Sequence, residues 1–298
     1  MFDEFKNAFA RYNNGHVQLI IINVVVFLLV VLISVPAKVL DLDGFFNFVF
    51  RMLAIPPRFG EFITRPWTIV TYAFVHDWRQ IFHILGNMIG LYWFGKLIIE
   101  YLGNDKLIAI YVLGALAGGA IYLLMFNTVP FFIERANDPA MAGMVGASAA
   151  VFAVMVAAAT LLPDYSFFLL FFGPVKIKYI AAFFIVVSYM GTIGSNEGGN
   201  LAHLGGALIG FIYTKQLKVG VNWGGWITST IAWIKSLFEP KQRVKVTYRK
   251  EPDKQAPKKG VGKASQDEID AILDKISDKG YESLTKDEKE KLFNASKK

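Results

Sequence analysis

Six apolar runs, at about residues 17–35, 82–102, 107–126, 141–162, 177–194 and 200–218, constrain this chain more than any other feature. A helix crosses the ~30 Å hydrocarbon core of a bilayer in about 20 residues, and an unpaired backbone group there costs several kcal/mol. Runs of that length therefore predict an all-α integral membrane protein, a bundle of six transmembrane helices over residues 17–218. The 54% share of hydrophobic residues in the 298-residue chain exceeds the ~45–50% of an ordinary soluble domain. The second to fourth and the sixth runs are rich in glycine and alanine, which let helix backbones approach closely in lipid.

Around the bundle the character changes four times. Phe2, Phe5, Phe9 and Tyr12 recur at helical spacing, so residues 1–16 read as a helix lying on the membrane surface. An acidic, aromatic start without a small-residue cleavage site does not read as a signal peptide. The long connection from Pro36 to Ile81 is too aromatic for an open loop and reads as partly embedded in the interface. Residues 219–240, with Trp223, Trp226 and Trp233, read as an interfacial aromatic helix. Residues 241–264 form a basic linker: from Lys241 to Lys263 there are nine Lys or Arg and two acids, a surplus equal to the net +7 of the whole chain.

Residues 265–298 read as a small soluble helical hairpin. SQDE at Ser265–Glu268 and TKDE at Thr285–Glu288 both fit a capping box, and Gly280 falls between helices expected over 266–279 and 286–295. The basic linker marks a cytoplasmic flank and attracts anionic lipid headgroups. Apart from Tyr248 it lacks the aromatic interleaving of a nucleic-acid surface, so nucleic acid is not an expected partner. Both termini are then cytoplasmic, and the expected location is a bacterial inner membrane. The chain has no cysteine, which removes disulfides, a thiol nucleophile and cysteine-based metal sites.

With that orientation His83 and Asn87 in the second run, Ser148 in the fourth and His203 in the sixth all fall near the outer side at similar depth. Polar groups are costly in hydrocarbon, and ionisable ones there usually function. Each also has a structural use: serine in a small-residue helix bonds to its own backbone, and histidine or asparagine joins helices. Together a serine, a histidine and extra donors are the parts for nucleophilic attack on an acyl bond. Three histidines, His76, His83 and His203, are the parts for a metal site, but HEXXH is absent and Asp77 is the only carboxylate spaced near them. An ion pathway would have Glu100, near the end of the second run, as the sole acidic residue inside a run. His76, in FVHDW, reads as a solvated loop residue, and His16 as an interfacial one.

At these residues the chain resembles the rhomboid family of intramembrane serine proteases. The resemblance rests on His83 and Asn87 four apart, on Gly146, Ala147 and Ser148, and on Ala202 and His203 followed by Gly206 and Gly210. PWTIVTYAFVH before His83, YLG at Tyr101–Gly103 and the GALAGG run add to it. It implies that Ser148 is the nucleophile and His203 its base, with no third acid. It implies that His83, Asn87 and the Ser148 backbone N–H stabilise the oxyanion, and that Gly146, Gly206 and Gly210 support close helix approach. It implies transmembrane proteins as substrates, membrane lipids as surroundings, and no cofactor or metal. Ala149 departs from the family's glycine after the serine, and two extra residues separate His76 from His83.

Overall fold

The computed structural model describes residues 14–138, 141, 143–194, 196–238 and 266–296. The chain divides into two compact units, residues 1–239 and 240–298. In the first unit the six apolar runs form helices α1 (Gly15–Val39), α2 (Ile81–Leu102), α3 (Asn104–Thr128), α4 (Ser148–Leu161), α5 (Ile177–Met190) and α6 (Glu197–Lys218). Among the described residues α1, α2 and α3 are long and apolar enough to cross a membrane, while α4 and α5 are apolar but shorter. The protein is an integral, multi-pass membrane protein. Helix α7 (Gly225–Phe238) follows, within the stretch expected to lie at the interface.

The core is the contact of α3, α4 and α6. A Cβ on Gly206 would strike the Ala149 carbonyl and one on Gly210 the Ala153 carbonyl, so the glycine face of α6 lies directly on the α4 backbone. On the other side a Cβ on Gly114 would strike Ala153, and one on Gly118 would come within 2.6 Å of the Ala149 methyl. Such contact gains dispersion energy that larger side chains would forfeit in lipid, where apolar burial itself drives nothing. Gly103, with φ +83°, is the sole residue between α2 and α3 and reverses the chain in a conformation other residues avoid.

Several expectations are corrected. Residues 1–13 of the expected surface helix and all of the 241–264 linker lie outside the described residues, and Gly15 and His16 already belong to α1. His16 is buried against the Tyr92 ring rather than interfacial. The fourth helix begins at Ser148 and not near 141, because Met144 pairs with Ile55 through two backbone hydrogen bonds of 2.9 and 3.1 Å. The protein is also not wholly α: Ser166–Leu169 (β1) and Gly173–Lys176 (β2) form an antiparallel hairpin between α4 and α5. The continuous run SFFLLFFGPV hides it, since its strands lack the alternation of a half-buried sheet. Its Leu170, Phe171 and Phe172 tip is more than three-quarters exposed.

The Pro36–Ile81 connection holds short helices at Asp43–Leu53, Phe59–Thr64 and Thr68–Thr71. Buried Tyr72 anchors its end, donating to the Ala115 carbonyl of α3 at 2.7 Å. Tyr111 of α3 donates to Ala73 O at 2.9 Å and accepts from Asn23 of α1 at 3.1 Å. These bonds satisfy polar groups that would otherwise be stranded among apolar side chains.

In the second unit, α8 (Gln266–Lys279) and α9 (Lys286–Ala295) are joined through Gly280. Thr285 and Glu288 form a reciprocal capping box at the start of α9, and Lys275 of α8 pairs with Glu288 at 2.9 Å. That lysine holds the Glu288 carboxyl at about 2, well below its usual range.

Candidate active site

Ser148 is the first residue of α4, and the chain before it is held on two sides. Met144 is bridged to Ile55, and the Gly146 N–H donates to Tyr72 O at 2.9 Å. Gly146 has φ +136°, outside the range other residues adopt, and a Cβ there would sit 3.2 Å from His83. It therefore shapes the turn into α4, whereas a Cβ on Gly206 or Gly210 would meet the α4 backbone. Beginning a helix at Ser148 also leaves the first N–H groups of α4 without acceptors inside the helix. The positive end of the helix dipole lies there.

His203, in the second turn of α6, reaches this helix start. Its Nε2 lies 2.7 Å from Ser148 Oγ, and its Nδ1 lies 3.0 Å from Ser188 Oγ on α5. The Phe152 ring, one turn below Ser148, stacks on the imidazole at 4.2 Å between centroids and 11° between planes. Three contacts from two helices thus fix the position, plane and rotation of one ring.

Ser148 and His83 line a cavity of about 420 Å³, together with Tyr72, Gly146, Asn196 and Glu197. Glu197, almost fully buried, pairs with Arg135 at 3.3 Å, tying the first turn of α6 to the helix Pro130–Ala136. Asn87 is buried but does not line the cavity. Its side-chain amide lies 3.3 Å from His76 Nε2.

His76 corrects another expectation, because it is fully buried instead of solvated. Its Nε2 accepts from the Asn87 amide and, at 3.4 Å, from the Ala147 N–H immediately before Ser148. Its ring meets the His83 ring edge-on at 5.7 Å. Burial, helped by the neighbouring His83, pushes its pKa down from 6.5 to about 4. Sequence reasoning also left Ser188 unremarked. The one signal for His76 is its place at the end of the apolar stretch TYAFV; Ser188 looks like any serine in an apolar run. Among the described residues no cluster of His, Asp and Glu is arranged to hold a metal.

Fold and site together define a class: a multi-pass helical membrane protein with a serine at a buried helix start and a histidine bonded to it from the neighbouring helix. The chain belongs to the rhomboid family, matching the Rhomboid domain over residues 64–218. Residues 262–298 match a further family of unknown function (DUF6576). The chain is 36% identical over 162 residues to "RHOMBOID-like protein 12, mitochondrial" of Arabidopsis thaliana, covering 51% of this chain and 47% of that protein. To "Rhomboid protein 1, mitochondrial" of Saccharomyces cerevisiae it is 28% identical over 165 residues, covering 54% and 45%. The chain spans about half the length of these curated relatives. Both are named mitochondrial, so the bacterial inner membrane expected from the sequence has no support from them.

Proposed function

We propose that the protein is an intramembrane serine endopeptidase that cuts transmembrane helices with Ser148 and His203. The observation that carries the reading is the 2.7 Å separation of Ser148 Oγ and His203 Nε2, within the reach a general base requires. His203 takes the hydroxyl proton as Oγ attacks the scissile carbonyl, then gives it to the leaving amine. Water repeats the sequence on the acyl-enzyme, with His203 again the base. The Ser148 N–H, at the positive end of α4, and His83 across the cavity stabilise the oxyanion; one such donor contributes about a hundred- to a thousand-fold in rate. Asn87, which does not line the cavity, supports this set through its amide contact with His76.

Depth supports the same reading. The 14 residues of α4 extend about 21 Å, short of the ~30 Å hydrocarbon core, so a helix rooted at one membrane face begins below the other. Ser148 then lies inside the membrane, with the cavity as its route to water. In this reading all six helices cross, both termini are cytoplasmic and the site faces the opposite side. Transmembrane substrates enter beside α5, whose buried residues are only Ile177, Ala181 and Ser188. The described residues Gly191–Gly194 and Asn196–Asn200 around the start of α6 cap the site.

The rival reading is a rhomboid-like scaffold that binds transmembrane helices without cutting them. Ala149, where the family has glycine, is the feature that raises it. The Ala149 methyl, however, is accommodated against Gly118 of α3. Labelling with a fluorophosphonate probe in detergent separates the two. The wild type labels and Ser148→Ala does not; no labelling of wild type beside an active relative, or equal labelling of Ser148→Ala, refutes the protease.

A further inference from the structure

We propose that Ser188 is a positioning residue that holds His203 in the tautomer a general base requires; the inference rests on the proteolytic reading above. A neutral imidazole carries one N–H. To take a proton from Ser148, the ring must present a bare Nε2, so its hydrogen must sit on Nδ1 and must find an acceptor. Ser188 Oγ, 3.0 Å from Nδ1, is placed to be that acceptor.

The surroundings give this bond its weight. Ser188 is 2% exposed, and its companions among the buried residues of α5 are Ile177 and Ala181, both apolar. A serine within a membrane helix ordinarily bonds back to its own chain. Ser34, Thr128 and Thr160 do so, donating to the carbonyls of Val31, Leu124 and Val156. The bond of Ser188 instead crosses to α6 and meets the ring whose other nitrogen is bonded to Ser148. Phe152 fixes the plane of that ring but offers nothing to distinguish its two nitrogens.

Without the Ser188 hydroxyl, the Nδ1–H would be left unpaired against apolar side chains. The ring would relieve this by moving its hydrogen to Nε2 and donating to Ser148 Oγ, a bond of the same length with the opposite polarity. In that form the histidine cannot accept the serine proton. An unpaired buried donor shifts such an equilibrium by about ten- to a hundredfold. The chain thus has a serine, a histidine and a second serine in sequence, each from a different helix, and no carboxylate is required to orient the base.

The test uses the full chain in detergent with ¹⁵N-labelled histidine, the His203 signals being assigned against His203→Ala. In the wild type at neutral pH we expect Nδ1 protonated and Nε2 bare. A wild-type His203 protonated on Nε2 overturns the proposal whether or not the protein is active. Ser188→Ala is expected to shift the signals toward the Nε2–H form and to slow fluorophosphonate labelling of Ser148 about tenfold, while Ser188→Thr, which keeps the hydroxyl, restores both. Unchanged signals and an unchanged labelling rate in Ser188→Ala overturn the positioning role and leave the protease reading intact. Absence of labelling in the wild type sinks the protease reading, and the wild-type tautomer still decides for or against Ser188. Should Ser188→Ala fold poorly, the same wild-type spectrum decides.

Discussion

A neutral His76 ring holds together three parts of the site from two stretches of sequence: the Asn87 amide and the His83 ring edge on α2, and the N–H before Ser148. Protonation would remove the Nε2 lone pair that accepts both N–H groups, and would bury a charge. The folded pKa is about 4 against 6.5 in the unfolded chain, so the unfolded state binds the proton first as pH falls. Stability from His76 is therefore whole above pH 6.5 and is lost progressively toward pH 4, by about 3 kcal/mol in full. Thermal unfolding in detergent at pH 7.5, 6.5, 5.5 and 4.5 checks this. The melting temperature of the wild type should fall with pH more steeply than that of His76→Gln, and parallel curves would remove the assignment. The residue escapes sequence reading for a physical reason. Nothing local buries it: DWRQ after it looks like a solvated turn, and its enclosure comes from residues 87 and 147. Ser148, His83 and His203 are legible because each lies in an apolar run where polarity is costly in itself. Gly146 is legible as a position and illegible in its use, since a positive φ leaves no periodic trace.

Helix α4 shows what the apolar runs do and do not encode. Its existence and its small residues are plain in the sequence, but its first turn is set by Ile55 and Tyr72, which capture Met144 and Gly146 before a helix can begin. A hydropathy run cannot register that, because Met141 to Val145 are as apolar as the helix they precede. The hairpin Ser166–Lys176 is lost to the same cause, its aromatic residues reading as one unbroken stretch. The packing of α4 on α6 is legible, since glycines at 206 and 210 recur on one face. That contact also sets a quantitative expectation. A methyl on Gly206 meets the Ala149 carbonyl, which cannot move without shifting Ser148 beside it. Gly206→Ala should destabilise the protein by about 1–3 kcal/mol and slow Ser148 labelling more than the lost stability explains. Gly86→Ala, where a Cβ meets nothing within 4 Å, is the control and should leave labelling unchanged and stability unchanged or raised by up to about 1 kcal/mol. Equal behaviour of the two variants would show that α4 and α6 are not in backbone contact.

At the scale of the whole molecule the open quantity is the number of crossings, and parity decides it. α2 is 22 residues long, about 33 Å, enough to put Arg79 before it and Asp105 after it on opposite faces of a membrane. If all of α2 to α6 cross, five crossings separate Arg79 from the second unit, which then lies on the face of Asp105. If only the long apolar helices α1 to α3 cross, two crossings separate them and the second unit lies on the face of Arg79. The absence of cysteine makes the measurement clean, because one introduced thiol is the only one present. Arg79→Cys, Asp105→Cys and Lys286→Cys, each at an exposed position, can be treated with a membrane-impermeant maleimide in sealed vesicles of one orientation. The expected outcome is that Asp105→Cys and Lys286→Cys react alike and Arg79→Cys reacts oppositely. Agreement of Lys286→Cys with Arg79→Cys would leave α4 to α6 without a net crossing, and the site of Ser148 and His203 would no longer be a membrane-spanning one. Charge alone does not choose between the outcomes: when five helices cross, the basic run from Lys241 to Lys263 shares a face with Lys106, Lys176 and Lys178, but Lys38, Arg51, Arg58, Arg65 and Arg79 before α2 lie on the other face, so the labelling pattern decides.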